Sequence, residues 1–144
     1  MHKPEEASRI GTVIGLVFDG IGMFSMLAVS AAVNVAEIFT TDLFMDEGLT
    51  QSEAELMIDI MDVLGGVFFV IGGVFLFVFM VNLVLFTKLL NGRFDNETAS
   101  KTYLYQIVWG AINLIFNQIA GVAHLISGIK GRSTNERSER FEEQ

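Results

Sequence analysis

Three long apolar runs constrain this chain more than any other feature of its sequence. They cover residues 10–39, 63–90 and 103–129, and each exceeds the ~20 residues that an α-helix needs to cross the hydrocarbon core of a bilayer. A chain of 144 residues with 51% hydrophobic residues and a single proline forms one domain at most. The runs therefore predict an all-α integral membrane protein, in which apolar side chains are buried in lipid.

Composition and charge exclude several classes of function. The chain has no cysteine, so it carries neither disulfides nor thiolate chemistry. Its formal net charge is −8, and its basic residues form no patch that could meet nucleic-acid phosphates. The two histidines belong to no Ser/His/Asp set and no metal-ligand cluster, and no carboxylates pair beside an apolar pocket. The sequence therefore predicts a protein that is not an enzyme and that has neither cofactor nor metal.

The first run carries small and polar residues on one face of its helix, because they recur at spacings of three and four. In lipid such a face turns toward other helices, since glycines allow close backbone approach and polar groups need partners there. The face consists of Gly11, Gly15, Asp19, Gly22, Met26, Ser30, Asn34 and Glu37.

Asp19 is the most informative single residue of that face. A carboxylate within a membrane helix costs about 2.5–3.5 kcal/mol on insertion scales, so it is normally protonated, paired or in contact with water. One interpretation is an ion or proton site. The other is an interhelical hydrogen bond, or a hydrated position near the membrane surface.

Residues 40–62 are acidic and contain neither Lys nor Arg. Because cytoplasmic segments carry an excess of basic residues, we expect this segment outside the cell. Thr50 and Glu53 have the capping-box pattern, in which Thr50 accepts from the Glu53 amide and Glu53 reaches back, so a helix is predicted over 50–90. The acids lack the spacing of an EF-hand loop, which favours a solvated acidic face over a calcium site.

The second run repeats a glycine pair at heptad spacing. Gly65-Gly66 recurs as Gly72-Gly73, which leaves a flat strip for close packing against another helix. The pairs lack the strand and turn that phosphate binding requires, so they do not indicate a nucleotide site.

The third run allows two topologies. Small and polar residues follow one face of a continuous helix, which favours a single crossing and hence three transmembrane helices. A hairpin that turns near Asn117-Gln118 instead places both termini, the 88–101 loop and all nine basic residues in the cytoplasm. We therefore expect two long transmembrane helices plus a C-terminal helical hairpin, with three transmembrane helices as the alternative. The residues of the shared face are Gln106, Gly110, Asn113, Asn117, Ala120, His124 and Ser127.

Residues 110–129, GAINLIFNQIAGVAHLISGI, resemble the end of the small bacterial membrane proteins catalogued as domain of unknown function 4064. There a glycine-led apolar run, a short Asn-containing break and an Ile-Ala-Gly-type run ending in (Ala/Ser)-Gly-Ile precede a basic stop. The resemblance extends in outline over nearly the whole chain. It implies the hairpin and a Gram-positive plasma membrane, and it implies no activity. This chain departs from the family pattern at Trp109, Asn113 and His124, where apolar or small residues are expected.

The predicted organisation is a single transmembrane domain over residues 1–131, followed by a charged cytoplasmic tail over 132–144. Both termini are expected in the cytoplasm. The predicted helices cover about residues 10–39, 50–90, 103–116 and 118–130.

The expected function is that of a non-enzymatic accessory or interaction subunit of a larger membrane complex. Its expected partners are membrane lipid and another membrane protein or a second copy, and not nucleic acid. The alternative is a homo-oligomeric channel, a holin-like pore or a proton-coupled carrier that uses Asp19 and His124, because histidine changes charge near neutral pH. The candidate intramembrane polar residues are Asp19, Asn34, Glu37, Asn113, Asn117 and His124. The candidate helix-packing residues are Gly11, Gly15, Gly22, Gly66, Gly73, Gly110 and Gly121.

Overall fold

The computed structural model describes the backbone of residues 3–46 and 48–142, and it describes their side chains except those of residues 36–45 and 138–142. Within these residues the chain forms four α-helices and no strand, which confirms the predicted all-α class. The helices are α1 (Glu6–Asp46), α2 (Gln51–Leu90), α3 (Asn96–Phe116) and α4 (Gln118–Glu142).

Two of the helices are long and apolar enough to cross a membrane. The most apolar 18-residue stretches of Glu6–Val35 in α1 and of α2 have mean hydropathies of 1.9 and 2.7. In the most apolar part of α2, only 11% of the residues are buried within the protein. The apolar side chains of α2 therefore point mainly outward.

The ends of the helices follow from local chemistry. At the start of α2, the backbone N–H and hydroxyl of Thr50 both donate to the carboxylate of Glu53, at 2.8 and 2.6 Å. Glu53 thus reaches back as predicted, but the Thr50 hydroxyl donates to this carboxylate. Gly92 ends α2 with a φ of 64°, a conformation that glycine adopts without strain.

Helix α3 begins earlier than predicted because Asp95 caps it. The Asp95 carboxylate accepts a hydrogen bond from the backbone N–H of Thr98 at 2.7 Å. This bond holds the pKa of Asp95 below its ordinary value. The seven residues before Tyr103 therefore extend the helix back to Asn96.

The third apolar run forms two antiparallel helices. Asn117 interrupts the helical backbone with φ −147° and ψ 84°, and its side-chain oxygen then accepts the backbone N–H of Ala120 at 3.3 Å, capping α4. Helix α4 folds back so closely on α3 that a Cβ added to Gly121 would lie 2.6 Å from the backbone nitrogen of Leu114. Further along, Gly128 packs against Ile107. The chain thus contains the hairpin that the charge distribution favours.

Helix α4 also continues beyond residue 130, where a charged tail was predicted. Asn135 is fully buried, and its side-chain amide donates to the backbone oxygen of Asn96 at 2.9 Å. The Thr134 hydroxyl donates to Glu5 at 2.8 Å. These contacts tie the extension to the starts of α3 and α1, and it remains helical to Glu142.

The chain divides into two compact units. The first combines Met1–Ile21 with Val78–Gln144, and the second is Gly22–Phe77. In the second unit, the Ser30 hydroxyl donates to the backbone oxygen of Gly65 at 3.1 Å. Gly72 packs against Leu27, so this part of α2 approaches α1 through one member of each glycine pair.

We expect Gly121→Ala to force α3 and α4 apart, because its Cβ would lie 2.6–3.0 Å from backbone atoms that have no room to move. Overpacking of this kind costs about 1–3 kcal/mol. Gly66→Ala is the matched control, since nothing lies within 4 Å of its Cβ position. Unfolding in detergent, followed by circular dichroism, should show a loss of stability for Gly121→Ala only. Equal stability of the two variants would contradict the close hairpin.

Candidate functional site

The main polar site of the first unit is built around the carboxylate of Asp19, which is only 7% exposed. Its Oδ2 accepts hydrogen bonds from Trp109 Nε1 and from His124 Nε2, both at 2.9 Å. Its Oδ1 accepts from Asn113 Nδ2 at 2.7 Å. One side chain of α1 therefore binds donors from both α3 and α4.

Helix geometry explains why these donors converge. Trp109 and Asn113 are four residues apart on α3, so their side chains lie on one face, one turn above the other. The turn at Asn117 reverses the chain and brings His124 to the same level from α4. The Asn117 amide itself donates to the backbone oxygen of Phe18 at 2.6 Å, so the turn is attached next to Asp19.

The orientation of the Gln106 amide in this structure defines which nitrogen of the His124 ring donates and which accepts. The ring nitrogen Nδ1 lies 3.2 Å from Nε2 of Gln106. Because an amide nitrogen can only donate, Nδ1 accepts this hydrogen bond. Nε2 then carries the proton and donates to Asp19. In this arrangement the imidazole is neutral, and the ionised carboxylate is satisfied by three donors.

Beyond Gln106 the network continues as a row of hydroxyl groups toward the first turns of α1. Gln106 Nε2 donates to Thr12 Oγ1 at 3.0 Å, and this oxygen lies 2.7 Å from the hydroxyl of Ser127. The Ser127 hydroxyl donates to the backbone oxygen of Ser8 at 2.6 Å. The Ser8 hydroxyl in turn donates to the backbone oxygen of Ser127 at 3.1 Å. We call Thr12, Ser127 and Ser8 the hydroxyl row.

Apolar and small groups close the site. The His124 ring is fully buried, and the ring of Phe86 lies 5.2 Å away between centroids. Gly15 contacts the imidazole so closely that any side chain there would overlap the ring. The Tyr105 hydroxyl donates to Asn82 Oδ1 at 2.6 Å, while the buried Nδ2 of Asn82 has no hydrogen-bond partner among the described residues.

The predicted polar residues fall into three groups. Asp19, Asn113 and His124 are in direct contact, and Asn117 joins them through Phe18. Asn34 belongs to the second unit, where its amide donates to the backbone oxygen of Ser30 at 2.7 Å. The side chain of Glu37 lies outside the described residues.

The predicted packing glycines also differ in their surroundings. Gly11 packs against Ser127, Gly15 against His124, and Gly110 and Gly121 against each other's backbone. Gly22 is half-buried. For Gly66 and Gly73, no atom of the described residues, apart from the adjoining backbone of α2, lies within 4 Å of the Cβ position.

The candidate site contains five residues that the predicted set lacked. Gln106 and Ser127 lie on the polar face identified in the third run, so their spacing could have included them. Ser8 and Thr12 are four residues apart on α1, and Thr12 precedes Asp19 by seven, a spacing that also returns to one face. Trp109 stood out only as a departure from the family pattern. Its indole N–H is a donor that needs a partner when buried.

The arrangement of these side chains suits the connection of helices and the stabilisation of a buried charge better than the cleavage of a bond in a substrate. The carboxylate and the imidazole are closed off and bound to each other. Among the described residues, no group of three or more His, Cys, Asp or Glu side chains could hold a metal ion.

We expect Asp19→Asn to destabilise the protein by about 1–3 kcal/mol, since an amide must turn its NH₂ group toward at least one of the three donors. Asp59→Asn makes the same chemical change at an exposed position of α2 and should have little effect. Chemical unfolding in detergent, followed by tryptophan fluorescence, compares the two variants. The single tryptophan is Trp109, so the signal comes from the site itself. If Asp19→Asn left the stability unchanged, the network would not be what holds the helices together.

Comparison of the chain with known protein families, with curated proteins and with solved structures finds no match. The resemblance to domain of unknown function 4064 therefore stays a prediction.

Proposed function

We propose that this chain is a non-enzymatic membrane protein that acts as an accessory subunit of a larger membrane complex. Helices α1 and α2 cross the bacterial plasma membrane, and the α3/α4 hairpin packs within it. Residues 40–62 face outward, and both termini face the cytoplasm, which keeps all nine basic residues inside.

The observation that carries this proposal is the open glycine strip on α2. Gly66 and Gly73 are two turns apart on one face, and in the described part of the chain nothing beyond the adjoining backbone of α2 lies within 4 Å of a Cβ added to either. Val70 and Phe77 lie along the same face and are 64% and 71% exposed. In lipid, such small residues allow another helix to approach the backbone closely. The strip therefore suits an apolar helix of another membrane protein.

The Asp19 site supports the non-enzymatic part of the proposal. Its acid and base are buried and bound to each other, so neither faces a substrate. An enzyme needs a reacting group within reach of a bound substrate. The polar network is better explained as the connection that positions α1 against the hairpin, while α2 remains available to a partner.

The proposal predicts a stoichiometric partner that binds through the open strip. We expect tagged protein to copurify from native membranes with one other membrane protein, and Gly66→Leu with Gly73→Leu to abolish this copurification. The changes should leave the fold intact because the Cβ positions are open. Val67→Leu with Val74→Leu is the control, since these exposed residues follow each glycine and point about 100° away.

Purification of a solitary monomer would contradict the proposal. Copurification of two differently tagged copies, without another protein, would identify self-association instead. Retention of the partner by the glycine double variant would place the interface elsewhere.

The second candidate function is a homo-oligomeric channel, a holin-like pore or a proton-coupled carrier. The direct contact between Asp19 and His124, at 2.9 Å and with both side chains almost fully buried, favours it. Proton movement through a membrane protein uses such acid and histidine pairs. In liposomes with an internal pH dye, this function predicts a proton flux that Asp19→Asn with His124→Ala abolishes. An equal flux through both proteins would remove the candidate.

A further inference from the structure

We propose that Asp19 and His124 form a buried binding site for one exchangeable proton, which is taken up at His124 Nδ1 and accommodated by rotation of the Gln106 amide. This inference deepens the second candidate function, because it specifies what the site binds and through which atom. It requires only proton binding and not net transport across a membrane.

The charge of the site provides the first reason. With a neutral imidazole, the pair carries the full negative charge of Asp19 in a buried site, where a net charge is disfavoured even when it is hydrogen-bonded. A proton added at Nδ1 makes the ring an imidazolium. The Nε2 proton stays donated to Asp19, no other covalent bond changes, and the net charge of the pair rises from −1 to 0.

Gln106 provides the second reason, because its amide can serve both protonation states. In the neutral state, Gln106 Nε2 donates to His124 Nδ1 and to Thr12 Oγ1, at 3.2 and 3.0 Å. Rotation of the amide by about 180° exchanges its oxygen and nitrogen without moving the other heavy atoms. The Thr12 hydroxyl, which donates to the backbone oxygen of Ser8 at 2.8 Å, turns toward the rotated amide, while the Ser127 hydroxyl still donates to that backbone oxygen. The amide oxygen then accepts from the Nδ1 proton and from the Thr12 hydroxyl.

The remaining contacts of Gln106 fit the rotated amide equally well. Oε1 lies 3.5 Å from the hydroxyl of Ser127, at the outer limit of a hydrogen bond. After rotation the amide nitrogen occupies that position and donates to the Ser127 oxygen. Ser127 can keep its own donation to the backbone oxygen of Ser8. Both states are thus satisfied by one backbone geometry, and Gln106 is a positioning residue for the proton.

The route of exchange lies on the Gln106 side of the ring. On the other side, Trp109 and Asn113 already donate to Asp19, and the Nε2 proton fills the space between ring and carboxylate. From Gln106 the hydroxyl row leads to Ser8 in the first turn of α1. The hydrogen-bonded groups that adjoin Nδ1 therefore lead toward the amino-terminal end of α1, where the row ends at the buried Ser8.

The neighbouring elements supply no competing charge within the described part of the chain. Helix α2 presents Phe86 and Asn82, which are uncharged. Helix α3 contributes Tyr105, whose hydroxyl is donated to Asn82. Asp19 on α1 and His124 on α4 are then the two groups that share the proton.

The charge state of His124 can be measured directly in the full-length protein. A ¹⁵N-labelled chain with His2→Ala leaves His124 as the single histidine. Imidazole ¹⁵N spectra in lipid nanodiscs should show an unprotonated Nδ1 at high pH and two protonated nitrogens at low pH, with unchanged helical circular dichroism. This measurement leaves the site itself unmutated, so it does not depend on whether a variant of the site folds.

Two substitutions test the roles of the partners. Asp19→Asn removes the counter-charge and should lower the proton affinity of His124 at least tenfold, or about one pH unit in the titration. Gln106→Glu places a carboxylate beside Nδ1 and should raise the proton affinity of His124 by a similar factor. Ser30→Ala, which removes a hydroxyl from the second unit, should leave the titration unchanged.

Three outcomes would overturn the proposal. The ring could remain neutral, with Nδ1 unprotonated, at every pH at which the fold persists. The site could take up a proton while the ring stays neutral, which would place the proton on Asp19. The titration could also be insensitive to Gln106→Glu, which would remove the role of Gln106. An absence of proton flux in liposomes alone would remove the carrier and leave this binding site standing.

Discussion

The first unit depends on one constraint, which is that a carboxylate on an apolar helix needs donors. Asp19 finds three of them, two on α3 and one on α4. Apolar contacts alone would let α1 slide or rotate against the hairpin, since one aliphatic surface packs much like another. Three directional bonds fix a single register. The close glycine contacts at Gly11 and Gly15 are possible only in that register.

Helix periodicity predicted much of this site. The spacing of polar residues identified Asp19, Asn113 and His124 as members of buried faces. The charge distribution identified the turn at Asn117, which periodicity alone would have hidden inside one continuous helix. The pairing of these residues was not predictable, because it depends on how far α4 folds back along α3. Trp109 was not predicted as a hydrogen-bond donor to Asp19, because an indole on an apolar helix usually serves for packing.

The helix ends were harder to predict than the helices themselves. Asp95 lies outside the apolar run, so hydrophobicity gave no reason to begin α3 at Asn96. The extension of α4 is highly charged, a composition typical of a disordered tail. It is helical because buried Asn135 connects it to α3, a contact between residues 39 positions apart that no local pattern reveals. Local capping and long-range contacts here outweigh the composition of the segment.

The separation in sequence between Asp19 and its donors has a consequence for biogenesis. Trp109, Asn113 and His124 follow Asp19 by 90, 94 and 105 residues. At synthesis rates of about 5–20 residues per second, they emerge from the ribosome roughly 5–20 s after α1. During this interval the carboxylate has none of its final donors. Until the last segment of the chain completes the site, the Asp19 carboxylate therefore depends on water or on another partner for its hydrogen bonds.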